Sequence, residues 1–291
     1  MDVTDKKTIL ARVRTVPSLP SVVIKIRKFL KDPDLNFTEL ARVIEHDPGL
    51  TANILQLANS AYFGWSRRIP SVKEAITRLG TNRIFQMVLC MSVAPLVRKP
   101  IKGYDMTAGQ LWEHSFAAAI CAEKLAQVLR MRDVEEAFTA ALLHDMGKVV
   151  LGTFVEVDDE PIKQMVMDEG LSFNQAERKV LGVDHGEVAG ELLRFWNLPE
   201  EVAAAAHWHH EPSRAEQPSE LIDLVHAADV LCMRFGWAGG SDLEFYRIDM
   251  DALERLGVTP QVADQAVSRT EVEFNEIRDM YGIAPQPQTV S

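Results

Sequence analysis

Histidines are concentrated in one part of the chain, together with acidic residues that could share a metal ion with them. Seven of the eight histidines lie between residues 114 and 226. His144 and Asp145 stand side by side in the otherwise apolar segment AALLHDMGK, and His209 and His210 are adjacent. Neutral imidazoles and carboxylates suit borderline divalent ions. A polar pair buried in an apolar helix is costly without a partner, and a metal ion bound by both residues would remove that cost.

Further candidates are His114, His185 and the pair His226 and Asp229, which lie three residues apart in LVHAADVL and share one helix face. A simpler interpretation stays open for each histidine, namely a core side chain held by one hydrogen bond. Independent core histidines are a poor explanation for so many candidates on successive helical segments. The pattern therefore favours a metal site to which several helices contribute.

Such a site requires several helices because one helix can point only one or two ligands at a common centre. Apolar residues recur with the helical period throughout the chain and alternating strand patterns are scarce, so the sequence predicts an all-α fold. Helices are predicted from Thr107 to Val128, from Asp133 through LLHDMGK, near 158–169, 172–181, 184–196, 199–210 and 217–234, and from about Pro260 to Met280.

The segment RKPIKGYDMT contains Pro100 and Gly103 and predicts a boundary between two helical regions. We expect an N-terminal helical subdomain in residues 1–100 and a metal-binding helical subdomain in 101–235. Residues 236–291 are expected to form a linker, a C-terminal helix and a frayed tail. Within the first subdomain, the Asp47-Pro48 step should begin a helix that runs to Gly64.

Net charge is −11 and is unevenly distributed. Residues 1–100 contain 16 Lys and Arg against 8 Asp and Glu, whereas residues 101–291 contain 15 against 34. The acidic total argues against nucleic-acid binding, and the helix-turn-helix-like pattern of NFTELARVIEHDPGLTANILQLANS is better explained as core. The basic region indicates a protein-partner surface around Arg67, Arg68 and Lys73, with ordinary solvated faces as the alternative.

The composition also bears on location. No apolar run approaches the ~18 residues needed to cross a bilayer, and MDVTDKKTIL lacks the apolar part of a secretory signal. Cys90, Cys121 and Cys232 lie in apolar helical patterns, which is typical of buried free thiols in a reducing compartment. We therefore expect a soluble, cytoplasmic protein without a membrane segment.

The order His, His-Asp, His, His-His, Asp resembles the HD superfamily of metal-dependent phosphohydrolases. LWEHS, LLHDMGK, VDHGEVAGELLRFWNLPEEV, HHEP and HAADVL are similar to its HDOD branch, which is related to the HD-GYP cyclic-dinucleotide phosphodiesterases. VPSLPSVVIKI, IEHDPGLTANILQLANSAYFG and IPSVKEAITRLG are similar to signature segments of the HDOD branch. The resemblance covers roughly residues 10–235. It implies an HD-superfamily helical bundle with an N-terminal helical subdomain in a bacterial signal-transduction protein.

The resemblance further implies one or two divalent ions, of Fe, Mn, Ni or Zn. The implied ligands are His114, His144, Asp145, His185, His209, His210 and Asp229. We expect His114 and His185 to complete a second position beside the other five. Gln110 stands where the trinuclear subset of the superfamily has Glu, which favours two ions or one over three.

Two functions follow from the resemblance. The first is a regulatory or scaffolding role in signal transduction through an unidentified protein partner. The alternative is a phosphohydrolase or phosphodiesterase acting on a nucleotide or cyclic dinucleotide, a phosphate-containing small ligand. In that case Asp145 would bridge two ions that supply hydroxide and polarise a phosphoryl oxygen, and Lys148 would offset the phosphate charge. HHEPSRAEQP lacks the DGxGYP continuation of the phosphodiesterases, which favours the regulatory role.

Overall fold

The structure is a computed structural model that describes residues 6–30, 32, 36–132, 136–155, 158–237, 240 and 245–278. These residues form helices and no strand, and the one β-type pairing among them is a single bridge between Ile101 and Met106. The predicted all-α fold is therefore confirmed. The α-helices are α1 (Lys6–Arg12), α2 (Ser21–Leu30), α3 (Phe37–Glu45), α4 (Pro48–Ala58), α5 (Val72–Leu79), α6 (Thr81–Val97), α7 (Gln110–Leu129), α8 (Ala137–Leu143), α9 (Met146–Val149), α10 (Glu160–Glu169), α11 (Phe173–Leu181), α12 (His185–Phe195), α13 (Glu200–Trp208), α14 (Glu220–Arg234), α15 (Met250–Leu256) and α16 (Pro260–Ile277).

The described residues form two compact units. The larger unit contains 6–17 and 96–274, and the smaller unit contains 18–95 and 275–278. The division after Pro95 lies close to the boundary predicted near residue 100. It differs from the predicted division because residues 6–17 and 245–274 belong to the larger unit.

In the smaller unit, a polar side chain caps the start of three helices, including the helix predicted to begin at the Asp47-Pro48 step. Asn36 caps α3 by accepting from the backbone N–H of Thr38, and Asp47 caps α4 by accepting from Leu50. Ser71 caps α5 in the same way. Each cap satisfies a backbone donor that the first turn of a helix leaves without an intrahelical partner.

The end of α4 differs from the prediction, since the helix stops at Ala58 and not at Gly64. The side-chain amide of Asn59 donates to the carbonyl oxygens of Leu55 at 2.7 Å and Ile69 at 2.9 Å. Its oxygen accepts from the backbone N–H of Ile69. These bonds fasten the end of α4 to the segment before α5 and replace the continuation of the helix.

The larger unit is a bundle arranged around α8. This helix packs against α7, α13 and α14, while α12 packs against α9 and α13. Buried small residues, Ala117 to Ala119 of α7 and Ala205 and Ala206 of α13, allow close approach of the helices. The helices that carry the candidate ligands agree with the prediction to within about one turn at their ends.

One predicted helix is interrupted at the residues that matter most. AALLHDMGK was predicted to be continuous, but α8 ends at Leu143 and α9 begins at Met146. Between them, Asp145 has φ −95° and ψ 10°, outside regular helix geometry. Adjacent side chains on an unbroken helix point about 100° apart. The break removes that constraint on His144 and Asp145.

A glycine brings α9 against the start of α12. A Cβ added at Gly147 would lie 1.8 Å from the carbonyl oxygen of His185, and one added at Gly186 would lie 2.7 Å from the carbonyl of His207. The first contact cannot be relieved without moving backbone. Gly147 therefore allows the backbone of His185 to lie beside the interruption between α8 and α9.

The described part of the segment predicted to be a linker belongs to the larger unit. The short helix α15, which was not predicted, is capped by Asp249, whose carboxylate accepts from the backbone N–H of Ala252. Arg255 of α15 donates to Asp223 of α14 at 2.7 and 2.9 Å. The predicted tail, APQPQTVS at 284–291, lies outside the described residues. No described helix is long and apolar enough to cross a membrane.

Candidate metal centre

All seven predicted ligand residues converge in the larger unit, in two groups. Within each group, one possible ligand atom from each residue lies within 4.8 Å of all the others. The first group is His114, His144 and Asp229. The second group is Asp145, His185, His209 and His210. The partition differs from the expected one, because His114 and His185 belong to different groups.

Five segments of the bundle bring these side chains together. His114 lies in α7 and Asp229 in α14, whereas His144 and Asp145 occupy the interruption between α8 and α9. His185 is the first residue of α12, where the carboxylate of the preceding residue accepts from the N–H of Glu187. The pair 209–210 directly follows α13. Several ligands thus come from helix ends, where the chain direction changes.

Two of the imidazoles are oriented by the turns in which they lie. The Nδ1 atom of His144 donates to the carbonyl of Ala141 at 2.6 Å, and Nδ1 of His209 donates to the carbonyl of Ala206 at 2.7 Å. In the neutral ring, a proton on Nδ1 leaves a lone pair on Nε2. Both Nε2 atoms are therefore available as ligands.

Two more imidazoles are oriented by distant partners. His114 Nδ1 donates to the carbonyl of Trp237 at 2.8 Å, and His185 Nδ1 donates to Glu177 Oε2 at 2.6 Å. Fixing the outer nitrogen of a histidine in this way is typical of metal ligands, because it sets both the tautomer and the ring orientation. All four rings have the same available nitrogen, Nε2.

The available atoms of the first group are spaced like ligands of a common ion. His114 Nε2 lies 3.3 Å from His144 Nε2 and 3.1 Å from Asp229 Oδ1. Asp145 Oδ2 is 3.6 and 3.5 Å from the same two nitrogens. Ligand atoms about 2.1 Å from an ion stand about 3.0–3.4 Å apart in octahedral or tetrahedral geometry. Two nitrogen lone pairs at 3.3 Å repel each other unless a cation or a proton lies between them.

The second group is built around the other oxygen of Asp145. Asp145 Oδ1 lies 3.6 Å from His185 Nε2 and 3.7 Å from His209 Nε2. His210 Nε2 approaches His185 Nε2 to 2.9 Å. Asp145 therefore presents one oxygen to each group, which is the position that a bridging carboxylate requires.

Burial leaves several of these polar atoms without a protein partner. Asp145 Oδ1, Asp229 Oδ2 and His209 Nε2 are buried and accept no hydrogen bond from the residues that the structure describes. Each such atom costs free energy unless an ion or another ligand satisfies it. The donors are nitrogen and oxygen without thiolate, a set that fits Fe, Mn, Ni or Zn. The residues present therefore fit a divalent cation.

The carboxylates attract positive charge to two of the histidines. Burial acts to lower the pKa of His144, but Asp145 and Asp229 outweigh burial and raise this pKa above its ordinary value. Burial also opposes charge on His185, whose pKa Glu177 nevertheless raises. In the metal-free protein, a proton on these rings can take the place of a metal cation.

The rest of the second group favours neutral rings and an ionised carboxylate. Burial lowers the pKa of His209 and of His210 well below the ordinary value. Burial alone would raise the pKa of Asp145, but Lys148 and the surrounding histidines lower it. Lys148 Nζ lies 2.9 Å from Asp145 Oδ2. Neutral imidazole and ionised carboxylate are the forms that bind metal.

Sequence reasoning missed the residues that support the ligands. Glu177 is fully buried in α11 and accepts from the backbone N–H of His185 and from the hydroxyl of Tyr104, in addition to the His185 ring. His226 donates from Nδ1 to the carbonyl of His209 and accepts from the N–H of Asp249, so it supports the centre without reaching it. Nothing in the spacing of Glu177 distinguishes it from a surface charge.

The chain is similar to a known protein family. The sequence profile of the HDOD domain family matches residues 16–212. An uncharacterised protein of Treponema pallidum is 24% identical over 225 residues, an alignment that covers 77% of this chain and 43% of that protein. The chain thus spans less than half the length of the curated relatives it matches.

Three solved structures share the fold. An HDOD domain protein of unknown function from Geobacter sulfurreducens is 24% identical, with a TM-score of 0.70 and coverage of 96% of this chain and 97% of that one. A protein from Shewanella amazonensis with a provisional phosphohydrolase name is 22% identical, with a TM-score of 0.71 and coverage of 95% and 98%. A protein from Marinobacter aquaeolei with a provisional signal-transduction name is 20% identical, with a TM-score of 0.71 and coverage of 96% and 60%.

Proposed function

Because the chain belongs to the HDOD domain family, we propose that it is a signal-transduction regulator that acts through protein contacts and holds a divalent metal in its larger unit. The observation that carries the proposal is the enclosure of the centre. His144, His185 and His209 are 0% exposed, and Lys148 is 3% exposed. Closed metal sites are typically structural, whereas catalytic sites keep an open position.

The two ligand groups favour two ions. One would be held by His114, His144, Asp229 and one oxygen of Asp145, and the other by the second oxygen of Asp145 with the remaining three histidines. Because the ligands come from five segments of the bundle, binding would contribute to the stability of the folded larger unit. On this proposal the metal fastens the bundle and leaves recognition to other surfaces.

The smaller unit offers a surface for a partner. Its groove has a volume of about 740 Å³ and is lined in part by Leu55, Trp65, Arg67 and Arg68. Trp65 is 37% exposed, and the guanidinium of Arg78 lies 5.3 Å from its ring centre. Within the described part of the chain, neither Arg67 nor Arg68 forms an ion pair. Two available arginines beside an exposed tryptophan suit an acidic protein segment.

A metal-dependent phosphohydrolase is the alternative function. It is supported by Lys148, whose ammonium adjoins Asp145 and could hold a substrate phosphate, and by the family resemblance. A bound metal would supply Lewis acidity and activate water. The chain lacks the GYP continuation of the cyclic-dinucleotide phosphodiesterases, and Lys148 is buried, so the regulatory role is favoured.

Location and origin belong to the same proposal. Cys90, Cys121 and Cys232 are buried and form no disulfide. Free thiols persist in reducing compartments. Together with the bacterial sources of the solved relatives, this supports a bacterial cytoplasmic protein.

Metal analysis tests the central claim. The wild type and the double variant His144→Ala/Asp145→Ala would be purified without chelator and analysed for Fe, Mn, Ni and Zn. We expect about one or two ions per chain in the wild type and none in the double variant, because the latter loses ligands of both groups. A wild type without metal, before and after loading, would contradict the proposal.

An activity panel separates the two functions. The wild type and Lys148→Ala would be loaded with Mn²⁺ or Fe²⁺ and assayed on linear and cyclic dinucleotides, nucleotides and aryl phosphates. The regulatory role predicts no turnover by either protein. Metal-dependent turnover that is lost in Lys148→Ala while metal content is retained would establish the alternative.

A further inference from the structure

One of the oriented ligand histidines is held differently from the others. The Nδ1 atoms of His114, His144 and His209 donate to backbone carbonyls. The Nδ1 atom of His185 donates instead to the Oε2 atom of Glu177, at 2.6 Å. A hydrogen bond to an ionised carboxylate is about twice as strong as one between neutral groups. It also raises the basicity of the ring, so Nε2 of His185 becomes the stronger donor to a metal ion.

Three hydrogen-bond donors converge on the carboxylate of Glu177. Its Oε2 atom accepts from the ring of His185 and also from the backbone N–H of that residue, at 3.1 Å. Its Oε1 atom accepts from the hydroxyl of Tyr104, whose ring lies 5.7 Å from the ring of Phe173 at the start of α11. All four residues are buried, so water does not compete for these bonds. The carboxylate therefore keeps one orientation, toward the His185 ring.

The next residue of α11 ties this helix to the segments that carry the histidines of the second group. The guanidinium of Arg178 donates to Asp184 and to Glu211. Asp184 directly precedes His185, and Glu211 directly follows the histidine pair 209–210. Charge-assisted bonds of this kind are strong and directional. The helix that carries the buried carboxylate is thus fixed relative to both segments.

We infer that Glu177 is a positioning residue of the second ligand group, where it sets the affinity for one ion through His185 and has little effect on the other. The inference rests on the proposed metal centre and makes its two positions unequal. The position formed by the second group depends on a carboxylate of α11. In the first group, His114 and His144 are oriented by backbone carbonyls of other segments.

Metal affinity measured at one position at a time provides the test. His114→Ala removes a ligand of the first group alone, and His210→Ala removes a ligand of the second group alone. Glu177→Gln would be added to each, because glutamine keeps the shape of the side chain and an acceptor oxygen but removes the charge. In chelator competition for Zn²⁺, Glu177→Gln should weaken binding about 10–100-fold in the His114→Ala background and less than about threefold in the His210→Ala background.

A matched substitution controls for the change in net charge. Glu169→Gln makes the same change at an exposed residue that forms an ion pair with Lys179 of α11. It should leave the affinity within about twofold of its parent in both backgrounds. An equal loss from Glu177→Gln in both backgrounds would mean that Glu177 acts through overall charge or folding, and would overturn the inference. Unchanged affinity in both backgrounds would overturn it as well.

The ring of His185 supplies a readout that a merely structural role of Glu177 would not change. In protein labelled with ¹⁵N-histidine, a ring proton donated to a carboxylate resonates at lower field than one donated to a carbonyl, because the bond is stronger. The Nδ1 proton of His185 should move upfield in Glu177→Gln and stay in place in Glu169→Gln. If this signal and the metal affinities are unchanged in Glu177→Gln while the wild type binds metal, the inference fails and the metal centre stands. If the wild type binds no metal, the proposed centre itself is refuted.

Discussion

The two units of the molecule differ in how their charged side chains are stabilised. In the larger unit, Asp145 and Asp229 are 1% and 2% exposed, and their partners are oriented histidines and a buried lysine. In the smaller unit, Arg67 and Arg68 are exposed beside a groove, and no ion pair to them exists among the described residues. A buried charge destabilises the folded protein unless its partner is present. An exposed charge is solvated by water and stays available to a partner on another molecule.

This difference separates stability from recognition. Removing one partner of a buried ionic cluster costs about 3–5 kcal/mol, while an exposed ion pair contributes about 0–1 kcal/mol. Substitutions in the centre should therefore change folding and metal binding together. Substitutions in the groove should change partner binding alone. Four experiments test whether stability and recognition are separated in this way.

The largest effect is expected from Asp145→Asn, which keeps the shape of the side chain and removes its charge. Lys148 loses the negative charge 2.9 Å away, and one of the two oxygens that face the ligand groups becomes an amide nitrogen that cannot bind a cation. We expect loss of bound metal and a decrease of about 3–5 kcal/mol in the free energy of unfolding, measured by urea denaturation of wild type and variant in the same metal-containing buffer. Asp264→Asn, at an exposed position of α16, is the matched control and should change stability by less than about 0.5 kcal/mol. Equal stability of the two variants would mean that the centre does not contribute to folding.

A smaller effect is expected from the glycine between α9 and α12. Gly147→Ala would place a Cβ 1.8 Å from the carbonyl of His185, so the two helices must separate. We expect a loss of about 1–3 kcal/mol or more, together with weaker metal binding. Gly49→Ala is the control in the smaller unit, because its Cβ would meet only Asp47 Oδ1 at 3.4 Å in a helix. That variant should be neutral or stabilised by about 0.5–1 kcal/mol, and thermal unfolding of both proteins checks the contrast.

The third effect is the pH dependence of metal affinity. Carboxylates raise the pKa of His144 and of His185 in the metal-free protein, so these rings keep their protons to a higher pH than a free imidazole does. Metal binding must expel those protons, and affinity therefore falls as pH falls through the raised pKa values. We expect the apparent dissociation constant for Zn²⁺ to rise about tenfold per pH unit for each proton released, measured by chelator competition. An affinity that stays constant through this range would mean that neither ring carries a proton before metal binds.

The candidate ligands could be identified from the sequence, in part because their chemistry is unusual for a core and as a complete set through the resemblance to the HD superfamily. A histidine next to an aspartate in AALLHDMGK, and two adjacent histidines, have few structural explanations, and all seven predicted ligands do converge. The interruption at residues 144–145 could not be predicted. No glycine or proline occurs at the break, and its geometry depends on contacts with other helices.

The residues that support the candidate ligands could not be predicted from the sequence, for a related reason. Glu177 lies in QAERKV, a segment whose charges have the spacing of a solvated helix face, yet the fold buries it beneath His185. Tyr246 follows a glycine-rich stretch that predicts a linker, and only tertiary structure brings it onto His210. Local pattern thus identifies residues with unusual chemistry, whereas their partners are ordinary residues selected by the packing of distant segments.

The smallest effect on the protein itself is expected from charge reversal at the groove. In Arg67→Glu/Arg68→Glu, both side chains are exposed and lack ion pairs among the described residues, so unfolding free energy should change by less than about 1 kcal/mol and metal content should not change. Binding of an acidic partner segment should nevertheless weaken, because two attractive charges become repulsive. Lys25→Glu/Arg42→Glu makes the same change in net charge at exposed positions of the smaller unit that do not line the groove, so it should leave partner binding closer to wild type. Affinity measured for both variants at low and high salt separates the local effect from that of net charge. If the two double variants weaken binding equally, the groove is not the contact surface; if Arg67→Glu/Arg68→Glu also loses metal, the proposed separation of stability from recognition fails.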